Sequence, residues 1–170
     1  MSKTENLNFY IVEDEYIEYV SRWDVHIAHN KKNKRPYVGI VLEIKDFSYF
    51  SPMFSPKKQH ERYKENLTFF KMYGNNDKKD YLGLIRFADM IPVPRKAIKQ
   101  LEFKNYFNSY NMLLVKQYNY INIPNNRKRI KEKATKLYDI INSNKENKTI
   151  SFYKKLCCNF KLLEEKLTEY

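Results

Sequence analysis

The sequence predicts an α+β fold built as one domain over residues 1–170, with an antiparallel sheet through the middle of the chain and helices through its last third. Two observations carry this. Before about Asn105, short β-branched and aromatic runs alternate with turn-forming residues, and after it apolar residues recur at helical spacing. A chain of 170 residues, 42% hydrophobic, buries one sizeable core but is too short for two domains of ordinary size.

Phe9-Tyr10-Ile11-Val12 reads as a first strand. Asp14 is placed to cap the following helix, whose apolar positions Tyr16, Ile17, Tyr19, Val20 and Trp23 share one face. Residues 24–36 turn polar and basic and predict an exposed loop. Strands are expected at 37–44 and 47–54, joined at Lys45-Asp46 as a hairpin. Further strands are expected at 67–73, 81–87 and around 90–93, with a turn at Gly74-Asn75-Asn76-Asp77. Tyr106, Tyr110, Leu113, Leu114, Gln117, Tyr118 and Ile121 fit one helix, which Pro124 stops. A second helix runs from Asn125 to about Ile141, a polar linker covers 142–147, and a last helical stretch passes through Leu156, Phe160, Leu163, Glu164 and Leu167.

Lys and Arg number 32 against 20 Asp and Glu, a formal net charge of +12 that attracts polyanions. With 15 Tyr and 11 Phe there are flat side chains beyond the needs of a core, on which unpaired bases can stack. RNA is therefore the first partner to consider, although low-GC codon usage raises Lys, Asn, Tyr and Ile together. Cys157 and Cys158 are adjacent, which suits neither a mutual disulfide nor a zinc site, and they read as buried thiols in a reducing compartment. Residues 1–8 are polar and no window approaches the ~18 apolar residues of a membrane span, so no membrane association and a cytoplasmic location are expected. With three glycines there is no phosphate loop, and no paired-histidine motif or nucleophile elbow is present, which excludes the commonest nucleotide-hydrolysis and zinc chemistries.

The polar residues that converge are Ser51, Ser55, Lys57, Lys58, Gln59 and His60, following an apolar strand. Cleaving RNA without a metal needs a group to take the 2′-hydroxyl proton, one to protonate the departing 5′-oxygen, and a donor or cation for the phosphorane. If Ser55 to Lys57 is extended, both side chains share a face and a hydroxyl and an ammonium can meet one phosphate. If a helix starts there, Ser55 is its N-cap and Pro56 its first residue, an ordinary structural motif whose free N–H groups also receive phosphate. Ser55, Lys57, His60 and Ser51 are the candidate catalytic residues. His29, Lys31, Lys34, Arg35, Lys58, Arg86, Arg127, Lys128 and Arg129 are the candidate RNA contacts, Arg35 as a two-oxygen phosphate clamp. Solvated surface charge accounts equally for the basic clusters. A non-catalytic RNA-binding regulator uses the same surface, and a DNA-binding repressor lacks a recognition-helix motif here.

Four segments, in order, resemble the ToxN/AbiQ toxins. They are Tyr37-Val38-Gly39-Ile40-Val41-Leu42-Glu43-Ile44, Ser51-Pro52-Met53-Phe54-Ser55-Pro56-Lys57-Lys58-Gln59-His60, residues 81–93, and Phe160-Lys161-Leu162-Leu163-Glu164-Glu165-Lys166. The resemblance implies a compact, curved antiparallel sheet of the MazF/Kid/CcdB type flanked by helices. It also implies a metal-independent endoribonuclease that needs no cofactor and acts on A-rich RNA. The implied partner is a small RNA antitoxin, transcribed as tandem repeats, cut into pseudoknotted units and bound in closed toxin–RNA oligomers. The family's Ser-Pro-Lys places the active hydroxyl at Ser55 and the active lysine at Lys57. Phe54 stands where the family often has Thr, and residues 24–36 lack the tyrosine some members carry, for which His29, Lys31 and Arg35 are the candidate replacements.

Overall fold

In a computed structural model, residues 5–102 and 108–170 are described, with the Asn76 side chain left aside. Among the described residues, seven strands, β1 (Asn8–Val12), β2 (Pro36–Ile44), β3 (Phe47–Phe54), β4 (Phe69–Tyr73), β5 (Tyr81–Arg86), β6 (Ile91–Pro92) and β7 (Ile98–Gln100), form one antiparallel sheet. Its order is β4-β5-β3-β2-β1-β7, with β6 also paired to β3. The helices are α1 (Asp14–Ser21), the single turn α2 (Lys58–Glu61), α3 (Ser109–Ile121), α4 (Pro124–Ile141), α5 (Lys148–Leu156) and α6 (Phe160–Glu169). No helix among the described residues is long and apolar enough to cross a membrane.

The β2–β3 hairpin turns at Lys45-Asp46 as its sequence predicts, with Ile44 opposite Phe47. The register then slips between Val38 and Leu42, a bulge that bends β2 and increases its twist. One edge of β3 follows β2, while the other is shared, Tyr49 and Phe50 pairing with β6 and Met53 and Phe54 with β5.

Three departures from the predicted elements have local causes. The last helical stretch is two helices, each capped by an Asn: Asn147 accepts from the Ile150 N–H at 2.9 Å, and Asn159 from the Leu162 N–H at 3.2 Å. Strand β7, three residues without alternation of their own, exists because β1 offers it a partner at Tyr10 to Val12. Asp14 does not cap α1, whose N-cap is Glu13 without a side-chain bond; its carboxylate holds the 29–35 loop instead. Tyr106 lies outside the described residues.

The helical layer is tied to the sheet through one buried carboxylate. Glu164 on α6, 6% exposed, accepts from the Tyr49 hydroxyl of β3 at 2.8 Å and the Tyr138 hydroxyl of α4 at 2.6 Å. Lys161 pairs with its other oxygen at 3.2 Å. The Tyr138 ring stacks on Phe160, with both rings against Tyr49. Glu164→Ala leaves two buried hydroxyls without their acceptor and should cost on the order of 2–4 kcal/mol in denaturant unfolding; a loss no greater than that of an exposed glutamate would show that this network does not join the layers.

Candidate active site

The segment after β3 forms a ridge. Phe54 pairs with Leu84 of β5, and then Ser55, Pro56 and Lys57 leave the sheet exposed and without helical structure. Lys57 is extended, φ −133° and ψ 138°, and caps the single turn α2. The alternative in which Ser55 caps a helix is thus not realised, and a turn of four residues has too few aligned peptides to act as a phosphate-binding helix end. Gly83 makes the ridge possible: at φ +107° it lies so close that a Cβ would collide with the Phe54 carbonyl oxygen and sit 3.3 Å from the Pro56 nitrogen. Gly83→Ala should therefore cost more than about 1 kcal/mol in thermal or denaturant unfolding and shift the ridge; unchanged stability would refute this dependence.

A hollow lies on either side of the ridge, and Phe54 borders both. The α3-side hollow, about 410 Å³, is lined by Ser55, Lys31, Lys34 and Arg35. The α2-side hollow, about 610 Å³, is lined by Lys57, His60, Tyr63 and Arg86. Ser55 thus lines one hollow and Lys57 the other.

The basic loop is held in a strained form. Lys31, Lys32 and Asn33 are all left-handed, φ 53°, 56° and 57°, a conformation that costs non-glycine residues about 1 kcal/mol or more each. Asn30, buried, donates to the Val12 carbonyl at 2.8 Å and to Asp14 Oδ1 at 2.7 Å; Asn33 N–H donates to the same oxygen at 3.0 Å, and Asp14 N–H donates to Asn33 Oδ1 at 2.7 Å. Within the expected loop, Val25, His29 and Lys31 to Lys34 are exposed, whereas Asp24, Ala28, Asn30 and Arg35 are buried and anchor it.

Arg35 is 6% exposed. Its Nε donates to the His29 carbonyl at 2.6 Å, its Nη1 to the Met53 carbonyl at 2.9 Å, and its guanidinium lies 4.3 Å over the Phe54 ring. It is a cationic wall of the α3-side hollow rather than an open clamp, because two of its donors already serve protein carbonyls. Burial, then Arg35, then Lys57 lower the Lys31 pKa, so these three cations lie within reach of one another's fields. Burial first, then Lys57, Arg86 and Lys71, lowers the His60 pKa and keeps the ring neutral at pH 7. His60 Nδ1 is buried without a partner among the described residues, and the ring packs against Tyr63 at 5.2 Å.

The structure places the other candidates outside the two hollows. Ser51 is fully buried opposite Val38, so its hydroxyl cannot meet RNA. His29 lines neither hollow; its Nδ1 accepts from the Lys31 N–H at 3.1 Å and serves the loop itself. Lys58 is exposed but lines neither hollow. On α4, Arg127 donates to Asn6 Oδ1 and the Asn122 carbonyl, both at 3.1 Å, and Arg129 pairs with Glu65 at 3.3 Å, so both have structural duties; Lys128 stays exposed beside Glu132. Tyr110 and Gln117, which the sequence pattern places only on a helix face, line the α3-side hollow; the legible signal is a glutamine among the leucines of that face.

Arg86 is fixed by Asp89, whose carboxylate lies 3.2 Å from its Nε. Burial pushes the Asp89 carboxyl up to about 6, against the opposing pull of Arg86. A carboxyl raised in the folded state contributes stability that is present below its unfolded value, near 4, and lost as pH rises through 6. Asp89→Asn should consequently match the wild type near pH 4 and gain about 2 kcal/mol on it at pH 7.5 in paired denaturant titrations; an equal difference at both pH values would contradict this titration.

A hydroxyl and an ammonium on an exposed ridge, with cation-lined hollows on both sides, define an α+β protein suited to a phosphodiester chain. The family profile described as toxin ToxN of type III toxin–antitoxin systems matches residues 8–168, and the chain belongs to that family. It is 33% identical to the endoribonuclease ToxN of Pectobacterium atrosepticum over 96% of this chain and 94% of that one. It is 29% identical to the endoribonuclease AbiQ of Lactococcus lactis subsp. lactis over 96% and 89%. A solved structure from work on selective toxin inhibition by a non-coding RNA pseudoknot superposes with TM-score 0.86 at 30% identity, covering 98% of both chains. The structure of AbiQ, a lactococcal anti-phage endoribonuclease, superposes with TM-score 0.85 at 29% identity, again over 98% of each.

Proposed function

We propose that this chain is a metal-independent endoribonuclease toxin that cuts RNA at the Ser55-Pro56-Lys57 ridge. The observation that carries the reading is the ridge itself, an exposed hydroxyl and ammonium between hollows lined by Lys31, Arg35 and Arg86, in a chain whose relatives are endoribonucleases over nearly its whole length. In the proposed reaction the 2′-oxygen attacks the adjacent phosphorus, the bond from phosphorus to the 5′-oxygen breaks, and the products are a 2′,3′-cyclic phosphate and a 5′-hydroxyl. One proton leaves the 2′-hydroxyl and one reaches the 5′-oxygen. Lys57 stabilises the phosphorane and Ser55 orients a non-bridging oxygen. His60, held neutral, is the candidate to exchange a proton. The positive field of Lys31, Arg35 and Lys57 supplies the charge stabilisation a divalent ion would otherwise give, and it opposes binding of such an ion.

We extend the proposal to an A-rich substrate preference, a repetitive RNA antitoxin that the toxin processes and is inhibited by, a closed toxin–RNA oligomer and an abortive-infection role. A structure related to this chain concerns inhibition by an RNA pseudoknot, and AbiQ is anti-phage.

Ser55→Ala and Lys57→Ala should bind RNA within tenfold of the wild type yet cut it on the order of 10²–10⁴-fold more slowly and lose toxicity on expression. Cleavage by the wild type should persist in a chelator. Equal toxicity of all three proteins, with no RNA cut, would instead favour a non-catalytic RNA-binding regulator, and loss of cleavage in chelator would overturn the metal-free mechanism.

A further inference from the structure

The α3-side hollow has a construction that phosphate binding does not explain. Its rim is cationic, but Met53, Leu113 and Leu114 make its walls apolar, and an apolar surface is no place for a phosphate. A nucleobase has the opposite character, with apolar faces and a polar edge. Tyr110, in the first turn of α3, lines this hollow and is 48% exposed. Phe54, beneath the Arg35 guanidinium, supplies a second aromatic wall. Two turns along α3 from Tyr110, Gln117 is only 3% exposed. Its Nε2 donates to the Leu82 carbonyl at 2.7 Å, which fixes the amide orientation, and its Oε1 has no partner among the described residues. A buried acceptor without a donor costs about 1–3 kcal/mol, so a ligand N–H at this place gains more than one on an open surface.

We propose that this hollow is a nucleobase subsite beside the scissile phosphate, in which the base stacks on Tyr110 and an exocyclic amine on its edge donates to Gln117 Oε1. The proposal rests on the endoribonuclease reading and adds its specificity determinant. A base with a keto oxygen at that edge would place two acceptors together, so amine-bearing bases are preferred. Tyr110 supplies sequence-tolerant affinity, and Gln117 the choice among bases.

The test uses an oligoribonucleotide cut at one site and copies in which each base beside the cut is replaced, one at a time, by its counterpart lacking the exocyclic amine. At one position the wild type should lose roughly 10-fold or more in kcat/KM, whereas Gln117→Met should bring the two copies within about twofold. Tyr110→Ala should raise KM several-fold for both copies, more than it lowers kcat, and Tyr110→Phe should restore it. A Gln117→Met protein with wild-type circular dichroism and undiminished preference would overturn the proposal, as would a Tyr110→Ala protein with unchanged KM. Binding of uncleavable 2′-O-methyl oligoadenylate and its amine-free counterpart provides the same comparison without chemistry. Were the wild type to cut no RNA, the endoribonuclease reading would fall, and a wild-type preference in binding that Gln117→Met abolishes would still uphold the subsite, while equal binding of both would refute it.

Discussion

The close approach of the Gly83 backbone to the Phe54 carbonyl is the constraint on which the site depends. Strand β3 pairs with β6 and then with β5 along one edge, and it can leave the sheet at Ser55 only where β5 allows backbone to lie on backbone. Without a side chain at Gly83, the exposed ridge is set against a rigid strand rather than carried on a mobile loop. The hydroxyl and cation proposed to act there would gain from this, because such an effect depends on placement within a fraction of an ångström. Phe54, the last residue of β3, divides the space beside the ridge and takes the Arg35 guanidinium on its face, so one side chain ties strand, loop and both hollows together.

The cationic excess of the chain is spread unevenly in purpose. Lys133 donates to Glu65 and to the Asn66 and Phe69 carbonyls, Lys71 donates to the Glu61 and Tyr63 carbonyls, and Lys166 lies 3.9 Å over the Trp23 ring. These cations hold elements together, and RNA would compete with the fold for them. Lys31, Lys34 and Lys57 instead keep their ammonium groups in the surface around the ridge. Mutual repulsion among Lys31, Arg35 and Lys57 is an unfavourable feature of the empty protein that a phosphodiester relieves, and the strained loop keeps them from spreading apart. Burial first, and then Lys57, Arg86 and Lys71, lowers the His60 pKa, so Lys57 acts on both the loop and the ring.

Much of the fold and part of the site were legible in the order of residues. The β2–β3 hairpin, the stop at Pro124 and the long amphipathic α4 follow from patterns within a few residues, because turn chemistry and helical periodicity act over that range. The Ser-Pro-Lys segment was legible through its family resemblance, and its extended form was one of the two conformations that its residues permit. Ser51 was misplaced because the alternation of a strand says that neighbours face opposite ways, not which way is inward. Arg127 and Arg129 looked like a binding cluster because Asn6, Asn122 and Glu65, which engage them, are distant or unremarkable in sequence.

By itself, then, the sequence determined an RNA-attracting α+β chain of the ToxN family with a hydroxyl and a lysine at the end of a strand. Tertiary structure alone decided that these two groups line separate hollows, that Arg35 is a wall and not an open clamp, and that Tyr110 and Gln117, remote in sequence, meet Ser55 at one hollow. The physical reason is range: periodicity and turn chemistry are encoded between near neighbours, whereas burial, pairing and the convergence of charges exist only once remote segments have been packed together.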